Sequence, residues 1–562
     1  MNDRPWVQHY DEGVPDTIEY QEIPLFVLLE EAAKNYPDAP CTIFKGARIT
    51  YKEMNERTDR LAAGLAALGV KKGDRVGIFM PNTPQFVLAY FGIIKAGGIV
   101  VATNPLYSKR EIEYQVNDSG VEIMIVMSNF YNTIKEIQPK TKVRQLVVTN
   151  IKEALPPVLG FLFGLTQEKK SGFRVDLAEG DIWLQDLINQ HTPDERPSLE
   201  ISADDMALFQ YSGGTTGIPK AAIALHRNLV SNTQQMYVWV TDLKDGEEVF
   251  LMAIPLFHVY GMVAGMCWAI KSAAAMVMIP NPRDLKDVLE SIQKYGVSIY
   301  PGVPTMYNAI NNHPDVQAGK YNLSTVRACI SGSAPLLRET KDKFEALTGG
   351  KLVEGYGLSE TPTATHCNPL YGYNPPGSIG LPFPDIDCRI VSLEDEVTVL
   401  DVDEIGELVI RGPQVMKGYH NMPTETANAL RDGWLYTGDI ARMDKDGYFY
   451  IVDRKKEVIK PGGFQVWPRT VEEAIAENPK VLEVGVAGIP DPHRGETVKA
   501  WVVLKPDDQA TEDEIKDWCR ERLAKFEVPT YVEFRDELPK TMVGKILRRE
   551  LVAQEKVKTE SE

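Results

Sequence analysis

The chain has 562 residues, 43% hydrophobic and 25% charged, with a formal net charge of -18. That length exceeds one compact core, so two or more domains are expected, and the composition excludes global disorder. Affinity for phosphate backbones rests on clustered Lys and Arg, so an acidic chain of this kind is expected to have no nucleic-acid partner.

Residues 1–7 lack the apolar run of a signal peptide. The six cysteines (Cys41, Cys267, Cys329, Cys367, Cys388 and Cys519) form no CxxC pair. Both features predict a cytoplasmic protein without zinc or redox motifs. Residues 51–68 carry apolar side chains at helical spacing, 75–80 read as a buried strand, 85–95 as a helix, and 98–102 and 122–126 as strands. This alternation predicts a layered α/β part with mainly parallel sheets. The apolar stretches 86–107 and 261–280 contain Lys95, Lys271 and several glycines, so buried elements are expected there and not membrane spans. Residues 155–165 are apolar, too short to cross a bilayer, and followed by Lys169 and Lys170. A helix packed on its own protein and a helix lying in a membrane interface are both open. Between residues 384 and 450, short strand-like runs separated by Gly, Pro and Asp turns predict a small antiparallel sheet or barrel. After Asp453 a charged segment leads into a compact α+β pattern.

The chemistry gathers in a few turns. Tyr211-Ser-Gly-Gly-Thr-Thr-Gly-Ile-Pro-Lys220 has the small residues that let backbone N–H groups wrap a phosphate, with a lysine at its end. Its spacing is not that of a Walker loop, and read alone it is either a phosphate loop or a surface turn. Glu354-Gly-Tyr-Gly-Leu-Ser-Glu360 offers Tyr356 for stacking on a base and Glu360 for a divalent cation. Asp432-Gly-Trp-Leu-Tyr-Thr-Gly-Asp439 ends in an aspartate suited to ribose hydroxyls. Arg454 follows, able to meet ribose or phosphate. Leu538-Pro-Lys-Thr-Met-Val-Gly-Lys545 sets a lysine on a glycine turn. The basic cluster Lys545, Arg548 and Arg549 reads as a solvated helix face unless it meets phosphates.

These segments, in this order, resemble the adenylate-forming superfamily of acyl-CoA synthetases, luciferases and adenylation domains, from about residue 20 to 552. Bacterial long-chain fatty-acid–CoA ligases are the most similar subfamily. The resemblance implies a large multi-subdomain N-terminal part, layered α/β sheets plus a small β-barrel, over residues 1–452. A small mobile α+β domain would cover 453–562, hinged at Asp453. It implies ATP and coenzyme A as co-substrates, Mg²⁺, and a fatty acid as the acid. Tyr211, Ser212, Gly213, Gly214, Thr215, Thr216, Gly217 and Lys220 would form the phosphate loop. Thr216 and Glu360 would hold Mg²⁺. Gly332, Ser333 and Ala334 would line the adenine pocket with Gly355, Tyr356, Gly357 and Ser359. Asp439 would bind ribose, Arg454 would contact the nucleotide, and Lys545 would bridge the carboxylate and the α-phosphate. His258 would sit at the acyl pocket, and Gly463 along the pantetheine arm. Ser359 stands where threonine is usual, and Tyr436 where the subfamily often has histidine.

A carboxylate attacking an anionic phosphate must overcome Coulomb repulsion, which a cation, a lysine and backbone N–H groups offset. The segment around His258, Leu256-Phe-His-Val-Tyr-Gly261, contains no carboxylate for a substrate amine, which weighs against amino-acid activation. Medium-chain or aryl-acid ligases, and an ATP- or fatty-acid-binding protein without turnover, stay open as alternatives. Peripheral contact with the inner face of the cell membrane and a homodimer are the remaining candidate associations.

Overall fold

The computed structural model describes residues 4–212, 219–462, 464–491, 493–541 and 544–561. Gly213, Gly214, Thr215, Thr216, Gly217 and Gly463 lie outside the described residues, and Ser212 is described by its backbone alone. The chain gathers into two compact units, one of residues 6–387 and 411–430, the other of residues 388–410 and the chain from 431 on.

The larger unit is a mixed α/β body built on two extended sheets. One runs, in spatial order, through Gly418–Tyr419, Lys220–Leu225, Met206–Ser212, Ile99–Ala102, Arg75–Phe79, Ile123–Met127, Gln145–Thr149 and Ile182–Trp183. Its central pairs are parallel, and strands such as Ile123–Met127 are buried at every position. That is why they read as unbroken apolar runs: a parallel strand is covered on both faces. The second sheet includes Lys351–Leu358, Ala328–Ser331, Ile299–Gly302 and Val249–Met252.

Local sequence explains the helix starts. Thr50 and Glu53 form a reciprocal capping box for Tyr51–Ala67, and Ser108 and Glu111 do so for Lys109–Ser119, satisfying otherwise orphaned N–H groups. The helix Pro84–Lys95 is buried on all sides. Its Lys95 lies 2.8 Å from Asp59 and 2.7 Å from Asn55 Oδ1, and burial lowers its pKa to about 8. The apolar stretch is thus a core helix with its one charge neutralised inside the protein.

In the helix Pro157–Thr166 none of the residues is buried, and one side rests on the protein through Phe163, whose ring lies 5.5 Å from that of Phe173. Among the described residues no helix is long and apolar enough to cross a membrane.

In the second unit, where a small sheet or barrel was expected, a five-stranded sheet forms. It contains Gly406–Arg411, Trp434–Met443 and Phe449–Arg454, paired antiparallel. The C-terminal segment is α+β. The strands Val481–Asp491, Gly495–Leu504 and Tyr531–Phe534 form a sheet that shares a core, including Val471, Ile475 and Ile515, with the helices Pro468–Ala476 and Glu512–Arg520.

Candidate active site

In the larger unit the antiparallel strands Met206–Ser212 and Lys220–Leu225 carry the two ends of the glycine-rich segment. Tyr211 is committed to the scaffold: its hydroxyl donates to Asp118 at 2.6 Å. Burial and that carboxylate hold its pKa well above the usual phenol value. Lys220, at the far end, places its ammonium 5.3 Å from the centre of the Tyr419 ring, a cation–π distance. The Tyr419 hydroxyl donates to Glu360 Oε1 at 2.7 Å. Lys220, Tyr419 and Glu360 therefore form a continuous chain from the end of the loop to the carboxylate. Tyr419 was not among the residues read from the sequence. Its signal is the short strand Gly418–Tyr419, which pairs antiparallel with Lys220–Leu225. The backbone closes the same link, since Met416 N–H donates to the Glu360 carbonyl at 2.8 Å.

The strand Lys351–Leu358 turns back on Thr363–Cys367. A Cβ at Gly357 would fall 1.3 Å from the Thr363 carbonyl oxygen, so this position admits only glycine. Thr363 itself takes a φ of 124°, rare for a β-branched residue. Ser359 and Glu360 lie in the turn between these strands. Tyr356 is half-buried, its ring 5.7 Å from that of His366.

Gly332 N–H donates to the Gly302 carbonyl at 3.1 Å, and a Cβ there would press on the Tyr260 ring at 3.1 Å. Ser333 follows with a φ of 70°, and Ala334 continues the same turn. Tyr260 in turn donates to the carbonyls of Gly302 and Ile330. His258 sits two residues before Tyr260, where it accepts the Tyr260 N–H on Nδ1 at 3.2 Å. Burial lowers its pKa to about 4, so near neutrality it is uncharged with the proton on Nε2. Beyond it, Tyr260–Cys267 is a fully buried π-helix, an uncommon conformation that concentrates at functional sites.

The second unit brings together Asp439, Arg454 and Lys545. Asp439 and Arg454 are register partners on adjacent strands, and Arg454 Nε meets Asp439 Oδ1 at 2.7 Å. The Asp439 carboxylate is 3% exposed. Lys545 is held through its backbone, its N–H donating to Thr541 Oγ1 at 3.1 Å and its carbonyl accepting the Thr541 N–H at 2.8 Å. The residue is exposed, yet protein atoms around its ammonium lower its pKa, and Arg454 adds to this while Glu457 and Asp439 oppose it. Solvent screens part of that effect.

Arg548 corrects the reading of a solvated helix face. Its guanidinium takes Glu472 bidentately at 2.9 and 2.6 Å, reaches Asp453 at 3.1 Å, and pairs with Glu457. Asp453 also accepts the Arg469 N–H at 2.6 Å and is 2% exposed.

Among the described residues no cluster of three or more His, Cys, Asp or Glu side chains could hold a metal. Glu360 is half-buried, and Tyr419 hydrogen-bonds to one of its oxygens. A single carboxylate fits Mg²⁺, which keeps several waters and binds through one or two carboxylates plus substrate phosphates.

The chain matches the AMP-binding enzyme family over residues 29–420 and the AMP-binding enzyme C-terminal domain over residues 470–545. It is 42% identical to the long-chain-fatty-acid–CoA ligase of Bacillus subtilis (strain 168) over 556 residues, 99% of each chain. It is 38% identical to the long-chain-fatty-acid–CoA ligase of Yersinia pestis, over 98% of each chain. Among solved structures, ATP-bound MatB from Rhodopseudomonas palustris superposes with a TM-score of 0.82 at 28% identity, covering 95% of this chain and 99% of that one.

Proposed function

The chain belongs to the AMP-binding enzyme family, and from that premise we propose that it is a long-chain fatty-acid–CoA ligase. ATP and a fatty acid give the acyl-adenylate and pyrophosphate, and the thiol of coenzyme A then displaces AMP to give the acyl-CoA. The observation that carries the reading is the similarity to the Bacillus subtilis ligase across essentially the whole of both chains.

The residue roles follow chemically. The backbone N–H groups of Ser212, Gly213, Gly214, Thr215, Thr216 and Gly217 cradle the β- and γ-phosphates, with Lys220 supplying charge. Glu360 and the Thr216 hydroxyl hold Mg²⁺, which when bound neutralises phosphate charge. Tyr419 aims Glu360 and shares the electrostatics of Lys220. Gly332, Ser333, Ala334, Gly355, Tyr356, Gly357 and Ser359 form the adenine side: the glycines allow close approach and Tyr356 stacks. Asp439 takes the ribose hydroxyls, and Arg454 holds Asp439 in place while meeting the nucleotide. Lys545 places positive charge between the attacking carboxylate and the α-phosphate, where repulsion is greatest. The protein atoms around its ammonium and the nearby Arg454 lower its pKa, in part screened by solvent. His258 is a neutral, oriented wall of the acyl pocket, and Gly463 leaves room for the pantetheine arm.

We take residues 1–452 as the part that holds ATP, Mg²⁺ and the acid, and 453–562 as a mobile domain hinged at Asp453. The enzyme works in the cytoplasm, with peripheral membrane contact and a homodimer as further parts of the proposal; sedimentation velocity tests the dimer. Incubation with ATP, Mg²⁺, coenzyme A and palmitate is expected to yield AMP, pyrophosphate and palmitoyl-CoA. Competition among palmitate, octanoate and a cinnamate separates the long-chain reading from medium-chain and aryl-acid ligases. Absence of acyl-CoA with every acid would overturn the function.

A further inference from the structure

The helix Pro157–Thr166 contains no charged residue, and none of its side chains is buried. Val158, Phe161 and Leu165 are 71%, 68% and 68% exposed, and Leu159 and Leu162 are also exposed. Val158, Phe161, Leu162 and Leu165 share one helical face. Soluble monomers rarely expose so continuous an apolar patch without a partner for it.

The charge beside it selects the partner. Glu168 is the one acid between residues 155 and 175, and it is buried, 2.5 Å from Lys152 and 2.9 Å from Asn150. Lys169, Lys170 and Arg174 are exposed, and among the described residues none of them is joined to a carboxylate. A chain with a net charge of -18 thus keeps three unpaired cations beside its apolar helix. A symmetric contact with a second copy would bring the same cations of both copies close to one another, because such an interface uses the same patch twice. An anionic lipid surface offers the opposite charge to the cations and an acyl layer to the helix. Ten residues of helix rise only about 15 Å, half of a hydrocarbon core, so the helix lies in the interface and does not span it.

We propose that the helix Pro157–Thr166, with Lys169, Lys170 and Arg174, is a docking surface for the interface of an anionic bilayer. The apolar face enters the headgroup boundary and the cations meet lipid phosphates. A long-chain acid dissolves in such a layer, so docking would hold the protein where that substrate is concentrated. The surface itself does not depend on the activity.

The test is co-sedimentation of the full chain with vesicles of phosphatidylcholine alone and with about a third phosphatidylglycerol. The intact protein is expected to partition onto the anionic vesicles. Phe161→Asp with Leu165→Asp, and separately Lys169→Glu with Lys170→Glu, should each lower that partition about tenfold. Both pairs are exposed, so melting temperature and turnover of octanoate in water should stay as in the intact protein. Absence of acyl-CoA from both palmitate and octanoate in the intact protein would count against the ligase reading and leave the vesicle result standing. The proposal is overturned if the intact chain does not bind anionic vesicles, or if neither variant weakens binding. It is equally overturned if Phe161→Asp with Leu165→Asp converts a dimer to a monomer with vesicle binding unchanged, which would assign the face to a second copy.

Discussion

Replacing Arg548 with alanine would remove the cation that three carboxylates share. Burial alone would lower the pKa of that guanidinium, but Glu472, Asp453 and Glu457 hold it well above its ordinary value. Without it, Glu472 and Asp453 remain enclosed and close to each other. Removing one partner of a buried pair costs about 3–5 kcal/mol. Arg548 keeps 17% of its side chain exposed, which argues for the lower end, about 3 kcal/mol. For a unit of this size that corresponds to a fall of about 6–12 °C in melting temperature. The sign of the pH dependence is fixed by Glu472. Its folded pKa is already raised, by burial first and with Arg548 opposing, so in the variant it must rise further. A carboxylate whose pKa is higher when folded binds its proton more tightly in the folded state. Its penalty is absent below the unfolded value, about 4.3, and grows as pH rises through the folded value. The loss in Arg548→Ala should therefore be larger near pH 8 than near pH 5, by about a kcal/mol or more. Calorimetry of both proteins at both pH values measures it. A loss that is the same at the two pH values, or a melting change under about 1 °C, would refute the account of Arg548 as the shared counter-charge.

Lys545→Ala should reduce ATP–pyrophosphate exchange by about 10²–10³-fold while largely sparing discharge of a supplied acyl-adenylate by coenzyme A; equal loss in both assays would remove the assigned role. Tyr419→Phe deletes the hydroxyl that holds Glu360 and should raise KM for MgATP about fivefold, a loss of about 1 kcal/mol, with kcat little changed; an unaltered KM counts against the Lys220–Tyr419–Glu360 chain. Gly357→Ala would force a Cβ against the Thr363 carbonyl and is expected to cost more than about 3 kcal/mol, seen as loss of folded protein on expression; a stable, active variant would show that the hairpin can open. His258 is uncharged well above its pKa of about 4, so the pH profiles of kcat/KM for the intact enzyme and for His258→Gln should have the same shape between about pH 6 and 8. An inflection present only in the intact enzyme would mean that His258 titrates there.

What could be read from the sequence was what short range decides. The capping boxes of Thr50 with Glu53 and Ser108 with Glu111 span three residues. The buried strand Ile123–Met127 declares itself by being apolar at every position, and the turn at Asp432 and Gly433 declares itself by composition, whereas Gly355 and Gly357, read as a turn, lie in the strand Lys351–Leu358. The pairing of Asp439 with Arg454 was not read from the sequence, because it needs two strands laid in register. Tyr419 was missed because its partner Glu360 lies 59 residues away and the intervening chain gives no periodic cue. Arg548 was misread for a related reason. Its carboxylate partners lie 76, 91 and 95 residues earlier in the chain, and viewed along the sequence its neighbours are Arg549 and Lys545, the composition of a solvated face. A charge run therefore says little until the fold shows which of its members are desolvated. In this cluster burial separates Arg548 from Arg549, which is exposed. Arg548 spends its donors on Asp453, the residue proposed as the hinge. A cation that holds the hinge carboxylate and the helix residue Glu472 together must exchange at least one of those partners if Asp453 changes conformation. A turn about this point, as proposed, is then resisted by an ion network and not by backbone stiffness alone, so weakening Arg548 should ease that proposed motion as well as lower stability.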